Sequence, residues 1–299
     1  MKHKVVICIC LLLILSVCYL NWRYKVVVLH SFRIAGRPEL TVMTWNVHCS
    51  NGADEKRQKA IADLILKEDA DFVLLNEFNQ DSCEVMDSLL RTKYPFTEEY
   101  QSHNICGDIF YSKLAMSNAG HPYIYSLKRF MPRGYEGIPE SLKGKALRTI
   151  KATIEMGGDS VQLFGVHLAS NQPTDSLKIM KKGLCDYYEC YKVAQRDRIF
   201  QTQWTKEFIL ESKHPVIVMG DMNDFNCSAP LDTLTSCGLI DSWCEGGNGY
   251  GGTYHNGWLR LRIDHILHSK DLKLESIKVI QTDLSDHNPM VAGFSIVKE

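Results

Sequence analysis

The sequence predicts an α/β sandwich built on mixed sheets, and three observations carry that expectation. Short apolar runs rich in Val, Ile, Leu and Phe outnumber the helical patterns. Some of these runs are hairpin-like neighbours and others alternate with helices, which fits mixed sheets better than one parallel, doubly wound sheet. The composition, 299 residues with 45% hydrophobic and 23% charged, is ordinary for a globular chain and excludes disordered, collagenous and low-complexity classes.

In chain order the expected strands are Leu40 to Val47, Asp71 to Leu75, Asp108 to Ser112, Ile150 to Glu155, Val161 to His167, Pro215 to Met219, Leu261 to Leu267 and Met290 to Val297. Ala60, Ile61, Leu64 and Ile65 share one helix face after the first strand, and Cys83, Met86, Leu89 and Leu90 share another after the second. A third helix is expected over Arg198 to Leu210, striped by Trp204 and Phe208. Thr174 to Val193 reads as a helix packed on the core, with a flap beside His167 as the alternative. No repeat, Pro- or Ser-rich linker or long single-sign charge run divides residues 39–299, so they are expected to form one domain.

Residues 1–25 read as a membrane anchor or signal. Val5 to Leu20 carries Ser16 as its only conspicuous polar break, between Lys2, His3 and Lys4 on one side and Trp22, Arg23, Tyr24 and Lys25 on the other. An Ala-x-Ala-like cleavage site is missing, which favours an uncleaved single-pass anchor over a cleaved signal or a cysteine lipidated at Cys18. Residues 26–38 then act as a tether. A short basic start before one apolar stretch places the domain outside the cytoplasm, although the basic residues beyond the stretch lean the other way.

Bases number 34 and acids 35, giving a net charge of -1, so any recognition of phosphate or nucleic acid must be local. The 11 cysteines include no Cys-x-x-Cys and support neither a zinc site nor a disulfide scaffold. They are expected to be mostly buried small hydrophobes.

The informative pattern lies where the strands stop. Asn46 with His48, Asn76 with Glu77, His167, and Gly220-Asp221-Met222-Asn223-Asp224 each follow an apolar run, while Asp264 interrupts one and Ser285-Asp286-His287 precedes the last. A single carboxylate after a strand is ordinarily a turn or cap. Asn46, Glu77, His167, Asp221, Asn223, Asp264, Asp286 and His287, eight groups on six segments, instead predict one polar cleft at a shared sheet edge. Carboxylates and amides suit a hard cation, Mg2+ or Mn2+, rather than zinc. Two histidines with carboxylates beside them suit proton transfer, and the combination points to metal-assisted hydrolysis of a phosphate ester.

These stretches resemble the endonuclease/exonuclease/phosphatase superfamily, the group of DNase I-like nucleases, sphingomyelinases and inositol polyphosphate 5-phosphatases. Thr44 to His48, Leu75 to Glu77, Val166 to Leu168, Gly220 to Asp224, Arg262 to Leu267 and Ser285 to Pro289 occur in the family order and span nearly all of the chain after Leu40. The resemblance implies a four-layer sandwich with two mixed, mainly antiparallel sheets. It implies metal binding by Glu77, with Asn46 and Asp286 nearby. Asp221, helped by Asn223, would orient or deprotonate the attacking water. His287, held by Asp264, would stabilise the scissile phosphate, and His167 would bind that phosphate from another side. The formal base, Asp221 or His287, stays open. AP endonucleases of this pattern carry an acid where His48 stands and a tyrosine where His167 stands, so abasic-site cleavage is disfavoured.

Substrate choice is expected to lie in the loops. Leu127 to Lys151 holds seven bases against two acids, a local +5, with Phe130 and Tyr135 interleaved. Arg148 and Asn171 are the expected substrate contacts. Gly246 to His255 concentrates five glycines before the Asp264 strand without a P-loop ending, and reads as a rim loop or an irregular turn. The expected activity is hydrolysis of phosphodiesters, nucleic acid first, with a phospholipid headgroup or an inositol phosphate as the alternative. A membrane-anchored binding module without catalysis is the competing class. No protein partner is expected.

Overall fold

The computed structural model describes residues 10, 12–19, 21, 27–28, 37–49, 53–101, 107–120, 148–171 and 184–297. Most of the expected anchor and tether lies outside the described residues, as do residues 127–147 of the basic stretch and 174–183 of the expected flap. Residues 12–19 are helical, and no described helix is long and apolar enough to cross a membrane.

Two six-stranded sheets form the molecule's centre. The first comprises β1 (Leu40–Asn46), β2 (Phe72–Phe78), β3 (Phe96–Gln101), β4 (Gly107–Ser112), β13 (Leu272–Val279) and β14 (Met290–Ile296), in the order β13-β14-β1-β2-β4-β3. The second comprises β5 (Met116–Gly120), β6 (Thr149–Met156), β7 (Asp159–His167), β8 (Val216–Asp221), β9 (Leu239–Asp241) and β12 (Asp264–Ser269), in the order β5-β6-β7-β8-β12-β9. Each sheet contains a single parallel pair, β1 with β2 and β7 with β8, and is otherwise antiparallel.

Strand alternation sorts side chains to the two faces of each sheet. Leu40, Val42, Phe72, Leu74 and Phe110 of the first sheet pack between the sheets against Ile150, Ala152, Leu163, Ile217 and Ile266 of the second. Met43, Trp45, Val73 and Leu75 face the other way, under helices α1 (Glu55–Glu68) and α2 (Glu84–Arg91), meeting Ile61, Ile65, Met86 and Leu90. Phe164, Val166 and Val218 cover the far side of the second sheet with Ile209 of α3 (Leu184–Glu211) and Leu231 and Leu234 of α4 (Ala229–Thr235). The layers therefore run helix, sheet, sheet, helix, as expected.

Several boundaries differ from the sequence expectation. The run Leu261 to Leu267 is split: Leu261 closes a short hairpin, β10 (Tyr254–Asn256) with β11 (Leu259–Leu261), and β12 begins at Asp264. β3, β5, β9 and β13 are not read from the sequence, because short or half-exposed strands carry few apolar residues. The helix begun in the expected flap is continuous with the next one; of the stripe expected to pack on the core, Leu177, Met180, Leu184 and Tyr187 lie outside the residues whose side chains are described, and Tyr191 is half-buried. The cysteine expectation also fails in part: Cys49 and Cys83 are buried, but Cys190, Cys237 and Cys244 are half-buried and Cys227 is exposed.

Candidate active site

The parallel pairs decide where the polar strand ends meet. The carboxyl ends of β1 and β2 carry Asn46 and Glu77, and those of β7 and β8 carry His167 and Asp221. Because β12 runs antiparallel to β8, its first residue, Asp264, sits opposite Asp221. β14 is likewise antiparallel to β1, so the turn before it delivers Asp286 and His287 to the same edge. Trp45 Nε1 donates to His287 O at 2.9 Å and Ser285 Oγ donates to Asn46 O at 2.8 Å, which ties that turn to the end of β1.

Asn46 is buried and bridges the sheets: its Nδ2 donates to Asp221 Oδ2 at 2.9 Å and to Glu77 Oε1 at 3.3 Å. Glu77 lies at a register shift between β2 and β4 with φ 55°, a left-handed conformation that re-aims the side chain into the cleft. His167 reaches both carboxylates, with Nε2 3.8 Å from Glu77 Oε1 and 3.9 Å from Asp221 Oδ2, and its Nδ1 is 3.5 Å from Asp108 Oδ1. Burial lowers the pKa of His167 and Asp108 raises it, and the balance stands above the ordinary value. The charge of Arg148 opposes that rise, and its backbone O accepts from His167 N at 3.0 Å.

His287 Nδ1 is 2.8 Å from Asp264 Oδ2 and its Nε2 is 3.8 Å from Asp221 Oδ2. Burial pulls the imidazolium's pKa down, but Asp264 and then Asp221 outweigh it and lift the pKa to about 10. Burial lifts the Asp221 carboxyl as well, with Asp264 adding to the rise against His287. On the opposite flank Asp286 Oδ1 pairs with His48 Nδ1 at 3.0 Å; burial raises the carboxyl and His48 more than offsets this, so it stays low.

The loops after β7 and β8 are locked together. Asn223 Nδ2 donates to Leu168 O at 3.0 Å, and Asn223 N donates to Asp221 Oδ1 at 2.9 Å. Arg198 of α3 is fully buried, with Nε on Asp224 Oδ2 at 2.9 Å and Nη1 on Ala169 O at 2.9 Å and Asn171 Oδ1 at 2.8 Å. Gly220 has φ 140°, and a Cβ there would collide with Val166 O.

The structure thus gathers Asn46, Glu77, His167, Asp221, Asn223, Asp264, Asp286 and His287 at one edge, with Arg148 beside His167. Asn171 joins the rim by accepting from Arg198. Sequence reasoning missed Asp108, Arg198 and the His48–Asp286 pair. Asp108 had one signal, an acid at the head of an apolar strand. The glycine stretch is no phosphate cradle: a Cβ on Gly251 would collide with the Trp243 ring, so the chain wraps that buried side chain.

The two-sheet order, with its site at the paired carboxyl ends, agrees with the match of residues 43–287 to the model of the Endonuclease/Exonuclease/phosphatase family. The chain belongs to this family. Among solved structures, the 3' phosphatase NExo from Neisseria bound to product DNA hairpin shares 19% identity over 86% of this chain and 99% of its own, with a TM-score of 0.60. D. rerio TDP2 complexed with single strand DNA product shares 16% over 86% and 98%, with a TM-score of 0.62. The human Nocturnin catalytic domain with bound sulfate anion shares 18% over 89% and 96%, with a TM-score of 0.60. No curated protein matches the chain. As a member of this family the chain is a phosphoesterase.

Proposed function

We propose that the chain is a divalent-metal-dependent hydrolase of phosphodiesters, Mg2+ first and Mn2+ second. The observation that carries the reading is the convergence on Asp221 of two histidines, His167 and His287, with the buried Asp264 beside it and Asn46 bridging it to Glu77. Glu77, Asn46 and Asp286 would hold the cation. Their oxygen donors fit a hard ion, and the buried Asp264 Oδ1 without a partner marks a polar site built for more than its internal bonds. The bound cation supplies positive charge to the phosphoryl oxygens.

The chain's own groups do the remaining work. Asp221 has a raised pKa and sits between His287 and His167, which fits it to accept the proton of the attacking water. His287, whose pKa is raised by Asp264 and Asp221, fits a donor to the pentavalent phosphate, and Asp221, Asp264 and His287 also bring potential ligand atoms within 4.8 Å of one another. Asp264 orients the ring, Asn223 steadies Asp221, and His167 with Arg148 faces the phosphate from the other side. Asn171 lines the rim as a further substrate contact.

Nucleic acid is the first substrate, in keeping with two similar structures whose descriptions name DNA products. A phospholipid headgroup is the second reading, favoured by one observation. Val28, just past the apolar N-terminal stretch, is buried and bonded in both directions to Gly249 of the rim loop, at 3.0 and 2.7 Å. If residues 1–25 form the anchor, that clamp holds the catalytic edge near the bilayer. Supercoiled plasmid incubated with Mg2+ tests the first reading: chelator-sensitive nicking, absent in His287→Ala, supports it. A folded protein that cleaves headgroups and leaves plasmid intact replaces it with the second.

A further inference from the structure

Arg57 stands in the first turn of α1, just inside the Asp54 cap. That end of a helix is positive, so a cation there works against the macrodipole. Among the described residues its half-buried guanidinium spends its donors on three main-chain carbonyls rather than on a carboxylate. Nε donates to Leu284 O at 2.6 Å, Nη2 to Val47 O at 2.6 Å and Nη1 to His48 O at 3.3 Å. One planar fork thus joins the loop after β1 to the turn before β14, two segments from opposite ends of the domain.

Both segments carry groups that would hold the cation. Val47 and His48 directly follow Asn46, and Leu284 stands just before Ser285 and Asp286. His48 has φ 48°, a left-handed backbone that a non-glycine residue holds only at a cost, and in that pose its N donates to Asn46 Oδ1 at 3.0 Å. Arg57 grips the carbonyl of the same residue, so the guanidinium, the strained backbone and the Asn46 amide form one chain of contacts. Gln58, the next residue of α1, is buried and extends the brace to the segment that follows Glu77. Its Nε2 donates to Ser82 O at 3.1 Å, and its Oε1 accepts from Val85 N at 3.1 Å and Met86 N at 3.2 Å.

We infer that Arg57 is a positioning residue for the cation site, holding the loop after β1 and the turn before β14 at the spacing that lets Asn46 and Asp286 face one ion. The inference rests on the metal-dependent reading. Two effects of Arg57 on a nearby cation oppose each other. Its charge repels the ion, so charge alone predicts tighter binding once Arg57 is removed. Its fork holds the ligands in place, so positioning predicts weaker binding. A lysine keeps the charge but cannot copy the planar fork, and it separates the two effects.

The test is the Mg2+ affinity of the full chain, read by titration calorimetry at a temperature where circular dichroism shows each variant folded. Arg57→Met and Arg57→Lys are each expected to weaken binding about tenfold or more. Tighter binding by Arg57→Met, with Arg57→Lys unchanged, overturns positioning in favour of charge. Should Arg57→Met not fold, Arg57→Lys decides alone: an unchanged Kd overturns the inference and a weakened one supports it. Asp54→Ala is the control. Asp54 Oδ1 accepts from Arg57 N at 2.9 Å, so its loss frays the start of the same helix while the guanidinium keeps its three carbonyls. This variant is expected to lower Tm and keep Kd within about twofold. A tenfold loss of affinity in Asp54→Ala as well overturns positioning in favour of a general loosening of α1. A folded, unaltered chain that binds neither Mg2+ nor Mn2+ overturns the metal reading itself and the inference with it, whereas binding that survives both Arg57 substitutions overturns the inference alone.

Discussion

Asp264 Oδ2 lies 2.8 Å from His287 Nδ1, and the other ring nitrogen of the same histidine points at Asp221 from 3.8 Å. The imidazole therefore links two buried carboxylates and gains its charge from both. Asp264→Asn keeps the shape and removes the charge that orients and protonates the ring. We expect the fold to survive and kcat to fall about 10²- to 10⁴-fold, read with saturating substrate.

The same pair sets a pH dependence of stability. The pKa of His287 rises from 6.5 to about 10 on folding, so the folded chain binds this proton more tightly than the unfolded chain does. The stabilisation is complete below 6.5 and is lost as pH rises through about 10. The Tm gap between the unaltered protein and Asp264→Asn should be widest near pH 6 and should close toward pH 10. A gap that widens with pH would reverse the assignment of the charge.

Metal binding has its own readout. A cation bound only by the folded state stabilises by mass action, about 2.7 kcal/mol at a hundred times Kd. Mg2+ should raise Tm and chelator should return it to its starting value. Glu77→Gln should abolish the response while leaving the metal-free Tm close to that of the unaltered protein, because Glu77 is only partly buried.

How much of this was legible in the sequence follows from how each residue is used. Asn46, Glu77, His167 and Asp221 end apolar strands, so a change of polarity announced them, and mutual register then made the cleft. Arg198 gave no such signal: on a long helix a cation looks solvated, and only tertiary packing buries it between two loops. His48 was legible as a residue but not as the partner of Asp286, a contact between positions 238 apart in sequence. β13 starts to alternate apolar and polar residues, but a bulge between Leu274 and Ser276 shifts the period before Ile277 and Val279, so no unbroken strand pattern stands out. The substrate loops were read as charge, and charge alone does not fix a shape.

Arg198 carries a prediction of its own. Its guanidinium joins Asp224 to Ala169 and Asn171, so Arg198→Met leaves a buried carboxylate without its cation. Removing one partner of a buried pair costs about 3–5 kcal/mol. Urea unfolding should show that loss. Arg198→Lys should restore part of the stability but not both loop contacts, because a single ammonium cannot copy the guanidinium fork.

Gly220 tests the geometry of the two loops most directly. His167 pairs with Asp221 across the parallel strands, and Leu168 N donates to Asp221 O at 2.9 Å, so the site needs β7 and β8 at close approach. A methyl group at Gly220 meets Val166 O in that gap, on a backbone with φ 140°. Gly220→Ala should cost on the order of 3 kcal/mol through strain and overpacking. It should also depress kcat in protein that remains folded, since the displaced strand carries Asp221. Gly238 supplies the control: its φ is 85° but a Cβ there meets nothing within 4 Å. Gly238→Ala should cost about 1 kcal/mol and leave kcat unchanged. Equal effects of the two substitutions on kcat would show that backbone strain alone, and not the spacing of His167 and Asp221, governs the rate.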